Sequence, residues 1–336
     1  MAELLQPITA TRHLGGAGLA VSAIGFGCMS IGSAYGPASE EESISTVRRA
    51  IDLGVTLFDT AEVYGPYRNE ELLGRAIAGH RDKVALATKF GWRIEDGKVV
   101  GLDSSPARIR AAVEGSLKRL GTDYIDLIQQ HRVDRNVPIE EVAGTVADLA
   151  REGKVRYFGL SEAGAATIRK AHAEFPLSCV QSEYSVWERG IETKIISTLR
   201  ELNIGLIAFS PLGRGFLTGT APRPSERDQN DGRNIDPRAS AEHYDANLLL
   251  TRAIRELAAQ RGSSPGQVAL AWILAKGTDI VPIPGTRRIA HLQQNLAAAA
   301  MPLTIDELTA LEDAIPPGST AGDRYNAAQL NAIDTD

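Results

Sequence analysis

The sequence is poor in cysteine and contains neither a long apolar run nor a cluster of basic residues. Cys28 and Cys179 are its only cysteines, which excludes a disulfide framework and a Cys-x-x-Cys metal or redox pair. The six histidines show no His-Glu-x-x-His spacing, so we expect no metal site. The longest apolar runs, such as residues 268–275, are too short to span a bilayer. Disulfide-rich, metal-dependent and membrane-spanning proteins are therefore set aside.

Charge and composition indicate which partners, which location and how many domains to expect. Asp and Glu number 42 against 36 Lys and Arg, a net charge of −6, and this balance argues against a surface that binds nucleic acid. The first residues lack the charged start, apolar stretch and small-residue cleavage site of a signal peptide, so we expect a cytoplasmic protein without a membrane partner. With 336 residues, 43% of them hydrophobic, the chain has enough material for one large core and predicts a single domain over residues 1–336.

Short apolar or β-branched runs alternate with helical patterns along most of the chain. The helical segments carry apolar residues three and four positions apart, as at Val142, Val146 and Leu149. This alternation predicts a parallel sheet that is covered by helices. Eight strands are predicted, at residues 24–27, 56–59, 84–89, 124–131, 156–161, 180–183, 205–210 and 280–284.

Polar side chains mark the ends of these strands, and in a closed barrel such positions share one rim. We therefore predict an α/β fold of the (β/α)8 TIM-barrel class, with an N-terminal β-hairpin. Residues 219–245 follow the seventh strand, are polar and rich in Pro and Asp, and are interpreted as a functional loop or lid. A doubly wound open sheet is the alternative, because element order does not show whether the sheet closes. The strand-end residues are Asp59, Lys89, His131, Ser161, Glu183 and Ser210.

Four of the residues at or near strand ends can carry acid–base chemistry. Asp59 ends a strand, and Tyr64 lies five residues further on, in a loop bounded by Gly65. Lys89 directly follows an apolar strand, where a lysine is desolvated unless it has a partner, and Asp59 supplies one. His131 offers an imidazole on the same rim. Taken singly, each of these residues is more often structural, as a loop brace, a packed ring or a satisfied histidine.

Taken together, these residues resemble the aldo-keto reductase superfamily, and the resemblance covers nearly the whole chain. It begins at residues 25–29 (GFGCM) and ends at residues 322–325 (GDRY). The chain is most similar to the bacterial and plant branch, which includes pyridoxal reductase-like and perakine reductase-like enzymes. The strings that carry this similarity are residues 58–65 (FDTAEVYG), 130–134 (QHRVD), 159–162 (GLSE) and 210–215 (SPLGRG).

The resemblance implies an enzyme that reduces an aldehyde or ketone to the alcohol, with hydride from C4 of reduced nicotinamide and a proton from Tyr64. A phenol is a weak acid at neutral pH, but an adjacent ammonium lowers its pKa. Lys89 would have this effect, with Asp59 holding the lysine charged. His131 would donate to or orient the carbonyl oxygen, where charge grows in the transition state.

The same resemblance implies NADPH/NADP+ as the cofactor. Phe209 would cover one face of the nicotinamide ring, where many relatives have Tyr or Trp. Arg287 and Arg288 stand at the start of a predicted helix and suit a 2′-phosphate, which favours NADPH over NADH. The implied contacts are Gly27, Cys28, Met29 and Asp59 at the nicotinamide, Ser161, Glu162 and Gln181 at its carboxamide, Phe209 on the ring, Ser210, Pro211, Leu212, Gly213, Arg214 and Gly215 over the pyrophosphate, and Gly285, Thr286, Arg287, Arg288, His291, Gln294 and Asn295 at the far end.

The resemblance implies a small carbonyl compound as the substrate, and the sequence leaves its identity open. Tyr35, Trp92 and Trp187, with Arg324 and Tyr325 of the C-terminal tail, are predicted to shape its pocket, and such aromatics favour a cyclic or extended apolar compound. One alternative is a redox-sensing regulatory subunit resembling the beta subunits of voltage-gated potassium channels, which carry Asn at the position of His131. A non-redox (β/α)8 lyase or isomerase is another. The oligomeric state is open.

Overall fold

Eight parallel strands form one sheet in the computed structural model, which describes residues 10–32 and 34–335. Two antiparallel hairpins, formed by the first two strands and by the sixth and seventh, lie outside that sheet. In chain order the strands are β1 (Thr11–Leu14), β2 (Leu19–Ser22), β3 (Phe26–Gly27), β4 (Leu57–Asp59), β5 (Ala85–Phe90), β6 (Trp92–Glu95), β7 (Lys98–Leu102), β8 (Ile125–Gln130), β9 (Val155–Ser161), β10 (Leu177–Glu183), β11 (Gly205–Phe209) and β12 (Ile280–Pro282).

The sheet closes on itself, which decides between a barrel and an open sheet. Successive strands pair in the order β3, β4, β5, β8, β9, β10, β11, β12. The first and last strands are joined by backbone hydrogen bonds from Gly25 to Pro282 (3.0 Å) and from Gly27 to Pro284 (3.3 Å). A Cβ atom at Gly27 would lie 2.6 Å from the Ile283 carbonyl oxygen, so only glycine allows this approach. The predicted (β/α)8 barrel is confirmed.

Helices connect the strands and cover the outside of the barrel, and local sequence sets several of their ends. Ser39 caps the first helix by accepting a hydrogen bond from the Glu42 amide. The third helix starts with Pro106 and stops at Gly121, whose φ of 65° is left-handed. The helices are α1 (Glu40–Asp52), α2 (Arg68–Ile77), α3 (Pro106–Leu120), α4 (Ile139–Arg151), α5 (Ala165–Glu174), α6 (Ile195–Glu201), α7 (Tyr244–Leu250), α8 (Arg252–Gln260), α9 (Pro265–Ala275), α10 (Ile289–Ala297), α11 (Ile305–Ala314) and α12 (Ala327–Asn331).

The N-terminal hairpin β1–β2 blocks one end of the barrel. Leu14, Leu19 and Val21 of the hairpin belong to the same buried cluster as inward-facing barrel residues such as Leu57 and Leu127. The hairpin also packs against the starts of β10 and β11, since a Cβ at Gly205 would lie 2.8 Å from Leu14 Cα. Because the starts of the strands are covered, only the opposite rim is left for a ligand, as is usual for this fold.

All eight predicted barrel strands are present, with boundaries shifted by up to three residues. The largest shift is in β10, which begins at Leu177 where the prediction began at residue 180. The hairpin β6–β7 was not predicted. The long loop after β11 is confirmed, and it contains short 3-10 helices at Pro224–Glu226, Gly232–Ile235 and Pro237–Ala239. Within the part of the chain that the structure describes, no helix is both long and apolar enough to cross a membrane.

Candidate active site

A buried ion pair lies at the rim where the parallel strands end. Lys89, in β5, is 1% exposed, and Asp59, at the end of β4, is 2% exposed. The Lys89 ammonium pairs with Asp59 Oδ1 and donates to the Thr60 carbonyl oxygen over 2.8 Å. Burial lowers the pKa of Lys89, but Asp59 and Tyr64 together raise it above its usual value. Lys89 is therefore a fixed positive charge at neutral pH.

Two glutamines hold the second oxygen of Asp59. Gln129 Nε2 donates to Asp59 Oδ2 over 3.0 Å and Gln181 Nε2 over 2.7 Å. Gln181 is the residue predicted to contact the nicotinamide carboxamide, and the structure uses its amide nitrogen to orient Asp59. Gln129 was not predicted. The signal for it was a glutamine inside the apolar run of β8, two residues before His131.

The loop that carries Tyr64 is held by polar contacts at Glu62, two residues before the tyrosine. Arg108 donates to both carboxylate oxygens of Glu62 over 2.8 Å and to the Trp92 carbonyl oxygen over 3.1 Å. The Lys89 Nζ atom lies 5.4 Å from the centre of the Tyr64 ring. The Tyr64 and His131 rings meet edge to face, with their centres 5.8 Å apart. Tyr64, Lys89 and His131 thus form one cluster, with Asp59 behind the lysine.

Burial sets the protonation states of the two aromatic groups. It raises the pKa of Tyr64 above its ordinary value, although Lys89 lowers this pKa as predicted. The pKa of His131 falls well below its usual value because of burial, Arg132 and Lys89, in that order. At neutral pH Tyr64 therefore holds a proton and His131 is neutral. His131 Nδ1 is buried without a hydrogen-bond partner among the described residues.

A cavity of about 220 Å³ opens beside this cluster. The predicted pocket residues Trp92 and Tyr325 line it, but Tyr35 and Trp187 do not. Tyr35 lies under the Arg233 guanidinium, 5.2 Å from it, and Trp187 is 3% exposed and packs on the Phe216 ring. The lining consists of Val63, Tyr64, Trp92, Val99, His131, Arg132, Tyr325, Gln329 and Ala332.

The C-terminal tail forms one wall of the cavity and is fastened to the ends of β9 and β10. Arg324 pairs with Glu162 Oε2, and Glu162 Oε1 accepts from the Glu183 amide over 2.9 Å. Further along, Asp334 Oδ2 accepts from the Gly164 amide over 2.9 Å. Glu162 is thus a tether for the tail, and its predicted contact with a nicotinamide carboxamide stays a prediction. Ser161, which was predicted to hold the carboxamide together with Glu162, accepts a hydrogen bond from Arg132 over 3.3 Å.

The loop after β11 turns through left-handed backbone. Ser210, Gly213, Arg214 and Gly215 all have positive φ, between 48° and 100°. The amides of Gly213 and Gly215 donate within the loop, to the carbonyl oxygens of Ser210 (2.8 Å) and Leu212 (3.0 Å), and so fix its shape. Arg214 NH1 lies 2.5 Å from Asp236 Oδ2, in the long loop that follows. Phe209, Ser210 and Leu212 are partly exposed, whereas Pro211 is buried.

The end of the rim after β12 offers a place for an anion. Arg288 is exposed and pairs with no described carboxylate, whereas Arg287 donates to the carbonyl oxygens of Gly36 (3.2 Å) and Pro37 (2.5 Å). No side chain caps the start of α10, so its first amides are open. Of the other residues predicted here, Thr286 and Asn295 are buried, whereas His291 and Gln294 are exposed. Gly285 lies against Gly27. Next to Gly27 in the chain, Cys28 is buried and Met29 is partly buried.

Comparison with known proteins identifies the family. A sequence profile described as the Aldo/keto reductase family matches residues 23–316. The chain belongs to the aldo/keto reductase family. It is 44% identical to the probable aldo-keto reductase 1 of Glycine max over 323 residues, 96% of this chain and 92% of that protein. It is similar to the solved structures of a glycerol dehydrogenase from Gluconobacter oxydans (TM-score 0.82, 32% identity, 91% and 94% of the two chains) and of an aldo-keto reductase from Klebsiella pneumoniae in complex with NADPH (0.73, 27%, 94% and 99%).

One carboxyl group of this aldo/keto reductase lies among three arginines without a close partner. Glu183 is 3% exposed, and its Oε2 makes no hydrogen bond with the described residues. Arg214 and Arg238 lie 3.7 and 3.5 Å from its oxygens. Burial outweighs the arginines, Arg324 included, and raises the pKa of Glu183 to about 7. The carboxyl group is therefore partly protonated at neutral pH, which gives the fold a pH dependence.

We expect Glu183→Gln to become more stable relative to the wild type as the pH rises. The folded pKa of about 7 lies above the unfolded value, so the stabilisation from protonated Glu183 is complete below about pH 4 and is lost as the pH rises through 7. Denaturant unfolding at pH 5 and pH 8 gives the difference in the free energy of unfolding between variant and wild type. From pH 5 to pH 8 this difference should change by about 3 kcal/mol in favour of the variant. The exposed Glu242→Gln is the control. A difference between variant and wild type that does not depend on pH would contradict the raised pKa.

Proposed function

We propose that this protein is an NADPH-dependent reductase of aldehydes or ketones. The observation that carries the proposal is the arrangement at the cavity: a protonated phenol and a neutral imidazole side by side, with a buried ammonium behind the phenol. Lining groups with these protonation states can hold a carbonyl oxygen and deliver a proton to it. Hydride transfer from a nicotinamide is the chemistry that the bound cofactor would supply.

Two parts of the rim are proposed to hold the phosphates of the dinucleotide. Residues 210–215, whose loop turns through left-handed backbone, are proposed to lie over the pyrophosphate. The uncapped start of α10, beside the unpaired Arg288, suits the additional phosphate of NADPH. Gly27, Ser161, Gln181 and the other residues named above for the nicotinamide and adenosine ends are proposed to hold the remainder.

Each catalytic side chain has a separate task. His131 donates one N–H to the carbonyl oxygen and so orients the carbonyl carbon. Tyr64 gives its proton to the same oxygen as negative charge develops there. Lys89 stabilises the phenolate that Tyr64 leaves, because the ammonium lies close to the ring. Asp59 neutralises the lysine and fixes its position.

The proposal is tested by following NADPH absorbance with a panel of aldehydes and ketones. Consumption of NADPH that depends on the carbonyl compound, with the alcohol as product, is expected. Rapid turnover would also exclude a redox-sensing subunit, in which reduction is slow. Binding of NADPH without turnover of any carbonyl compound would favour that alternative, and failure to bind NADPH would favour a non-redox reaction.

Arg288 is expected to determine most of the preference for NADPH over NADH. Its guanidinium is unpaired, and a charge-assisted hydrogen bond to a phosphate contributes about 1.5–3 kcal/mol. Arg288→Ala should therefore raise the Kd for NADPH and leave the Kd for NADH nearly unchanged, as measured by fluorescence titration. Arg287→Ala is the matched comparison, with a smaller expected effect because its guanidinium is bonded to the loop at Gly36 and Pro37. If the double variant Arg287→Ala with Arg288→Ala still prefers NADPH over NADH, the site for the 2′-phosphate lies elsewhere.

A further inference from the structure

Among the residues that the structure describes, Arg132 is the one charged residue that lines the cavity. It follows His131 directly, so its guanidinium stands next to the group that orients the carbonyl. No carboxylate among residues 10–32 and 34–335 forms an ion pair with Arg132, although most other arginines that are partly buried here have one. A cationic side chain in a cavity without an acidic residue creates a positive potential there.

The guanidinium is held in place and still has free donors. Arg132 NH1 donates to the His131 carbonyl oxygen over 2.6 Å and to Ser161 Oγ over 3.3 Å. Its Nε and NH2 atoms make no hydrogen bond with the described residues, and neither is a fully buried orphan. An arginine has five N–H donors in a fixed plane, so several remain for a ligand. Because the side chain is already anchored, little conformational entropy is lost when a ligand binds.

The rest of the lining limits the ligand to a small molecule with two unlike parts. Val63, Trp92 and Val99 offer an apolar surface, while Arg132 and Gln329 are polar. The volume of about 220 Å³ is below the roughly 300–1,000 Å³ of sites for drug-sized ligands. A carbonyl oxygen at His131 and Tyr64 would leave room for a short body and one further group.

We propose that Arg132 binds an anionic group of the substrate, so that the preferred substrates are small aldehydes or ketones that carry a carboxylate. This inference rests on the proposed reductase function and narrows its substrate class. The carboxylate accepts hydrogen bonds from the free guanidinium donors. Such hydrogen bonds are strongest when both partners are charged. The apolar body lies against Trp92, and the carbonyl oxygen lies at His131 and Tyr64.

The test compares carboxybenzaldehydes with formylbenzamides of the same substitution pattern. Each pair has the same size and shape but differs in charge, and the ortho, meta and para isomers sample three distances between anion and carbonyl. For the wild type we expect kcat/KM to be roughly 10- to 100-fold higher for the best carboxylate than for its amide. In Arg132→Met this ratio should fall to near one, and in Arg132→Lys it should be intermediate. The exposed Arg252→Met removes one positive charge on α8 and should keep the wild-type ratio.

Three results would overturn the inference. Equal kcat/KM for carboxylate and amide in the wild type would show that the cavity does not select an anion. An equal loss for both substrates in Arg132→Met, with a raised KM for NADPH, would place Arg132 at the cofactor. Absence of turnover for every benzaldehyde would remove the proposed function along with this inference. If Arg132→Met does not fold, inhibition of the wild type by benzoate and benzamide gives the same comparison, and benzoate should bind more tightly.

Discussion

Tyr64→Phe is expected to slow carbonyl reduction roughly 10²–10⁴-fold, the usual contribution of general acid catalysis. In this cluster the Tyr64 phenol is the group that can give up a proton. His131 is already neutral, and the Lys89 ammonium is paired with Asp59 and bonded to the Thr60 carbonyl oxygen. Removal of the hydroxyl takes away the proton donor and leaves the ring in contact with His131. The Kd for NADPH should therefore change little.

The measurement combines steady-state reduction of a reactive aldehyde with fluorescence titration of NADPH. Tyr124→Phe is the matched control, since Tyr124 lies directly before β8, at the opposite end of that strand from His131, and its ring contacts Arg81 and Arg156. Its activity should stay near that of the wild type. Activity of Tyr64→Phe within about threefold of the wild type would remove Tyr64 from the role of proton donor.

Lys89→Met is expected to slow carbonyl reduction by a similar factor, because Lys89 assists proton transfer from Tyr64. Burial already raises the pKa of Tyr64, and Lys89 is the largest opposing influence. Without the ammonium, this pKa rises further and the phenolate left after proton transfer is no longer stabilised. In the proposed mechanism reduction needs protonated Tyr64, so activity is expected to fall at alkaline pH. The substitution should move that fall to higher pH while lowering the rate at every pH.

The control for Lys89→Met separates chemistry from folding. The single substitution leaves the Asp59 carboxylate buried without its charged partner, which destabilises proteins by about 3–5 kcal/mol. The double variant Lys89→Met with Asp59→Asn removes both charges and should recover stability but not activity. A pH–rate profile that is the same in wild type and Lys89→Met would contradict the account given for Tyr64.

Much of the barrel could be predicted from the sequence, because the alternation of strand and helix is a local pattern. The unpredicted hairpin β6–β7 also had a local signal. Asp96 and Gly97 lie between its strands with φ of 47° and 73°, and Asp-Gly is a preferred pair for such a turn. The short lengths of the strands, four and five residues, concealed it between two longer elements.

The candidate site was less accessible to sequence reasoning, for two physical reasons. First, contacts such as that between Glu162 and Arg324 join residues 162 positions apart, and local patterns carry no information about such distances. Second, Lys89 lowers the pKa of Tyr64 as predicted, but burial raises it by more, and the degree of burial could not be read from the sequence. The pairing of Lys89 with Asp59 could be foreseen because any lysine at a buried strand end needs an anion.

The tether between Arg324 and Glu162 holds one wall of the cavity, which the chain supplies separately from the residues around Tyr64. Tyr325, Gln329 and Ala332 of the wall come from the last dozen residues, whereas Tyr64 and its partners come from the first 131. A tail held by a few polar contacts can be replaced by recombination or truncation while the barrel stays intact. Exchange of the tail would therefore change this one wall, while Val63, Trp92 and Arg132 keep the rest of the lining in place.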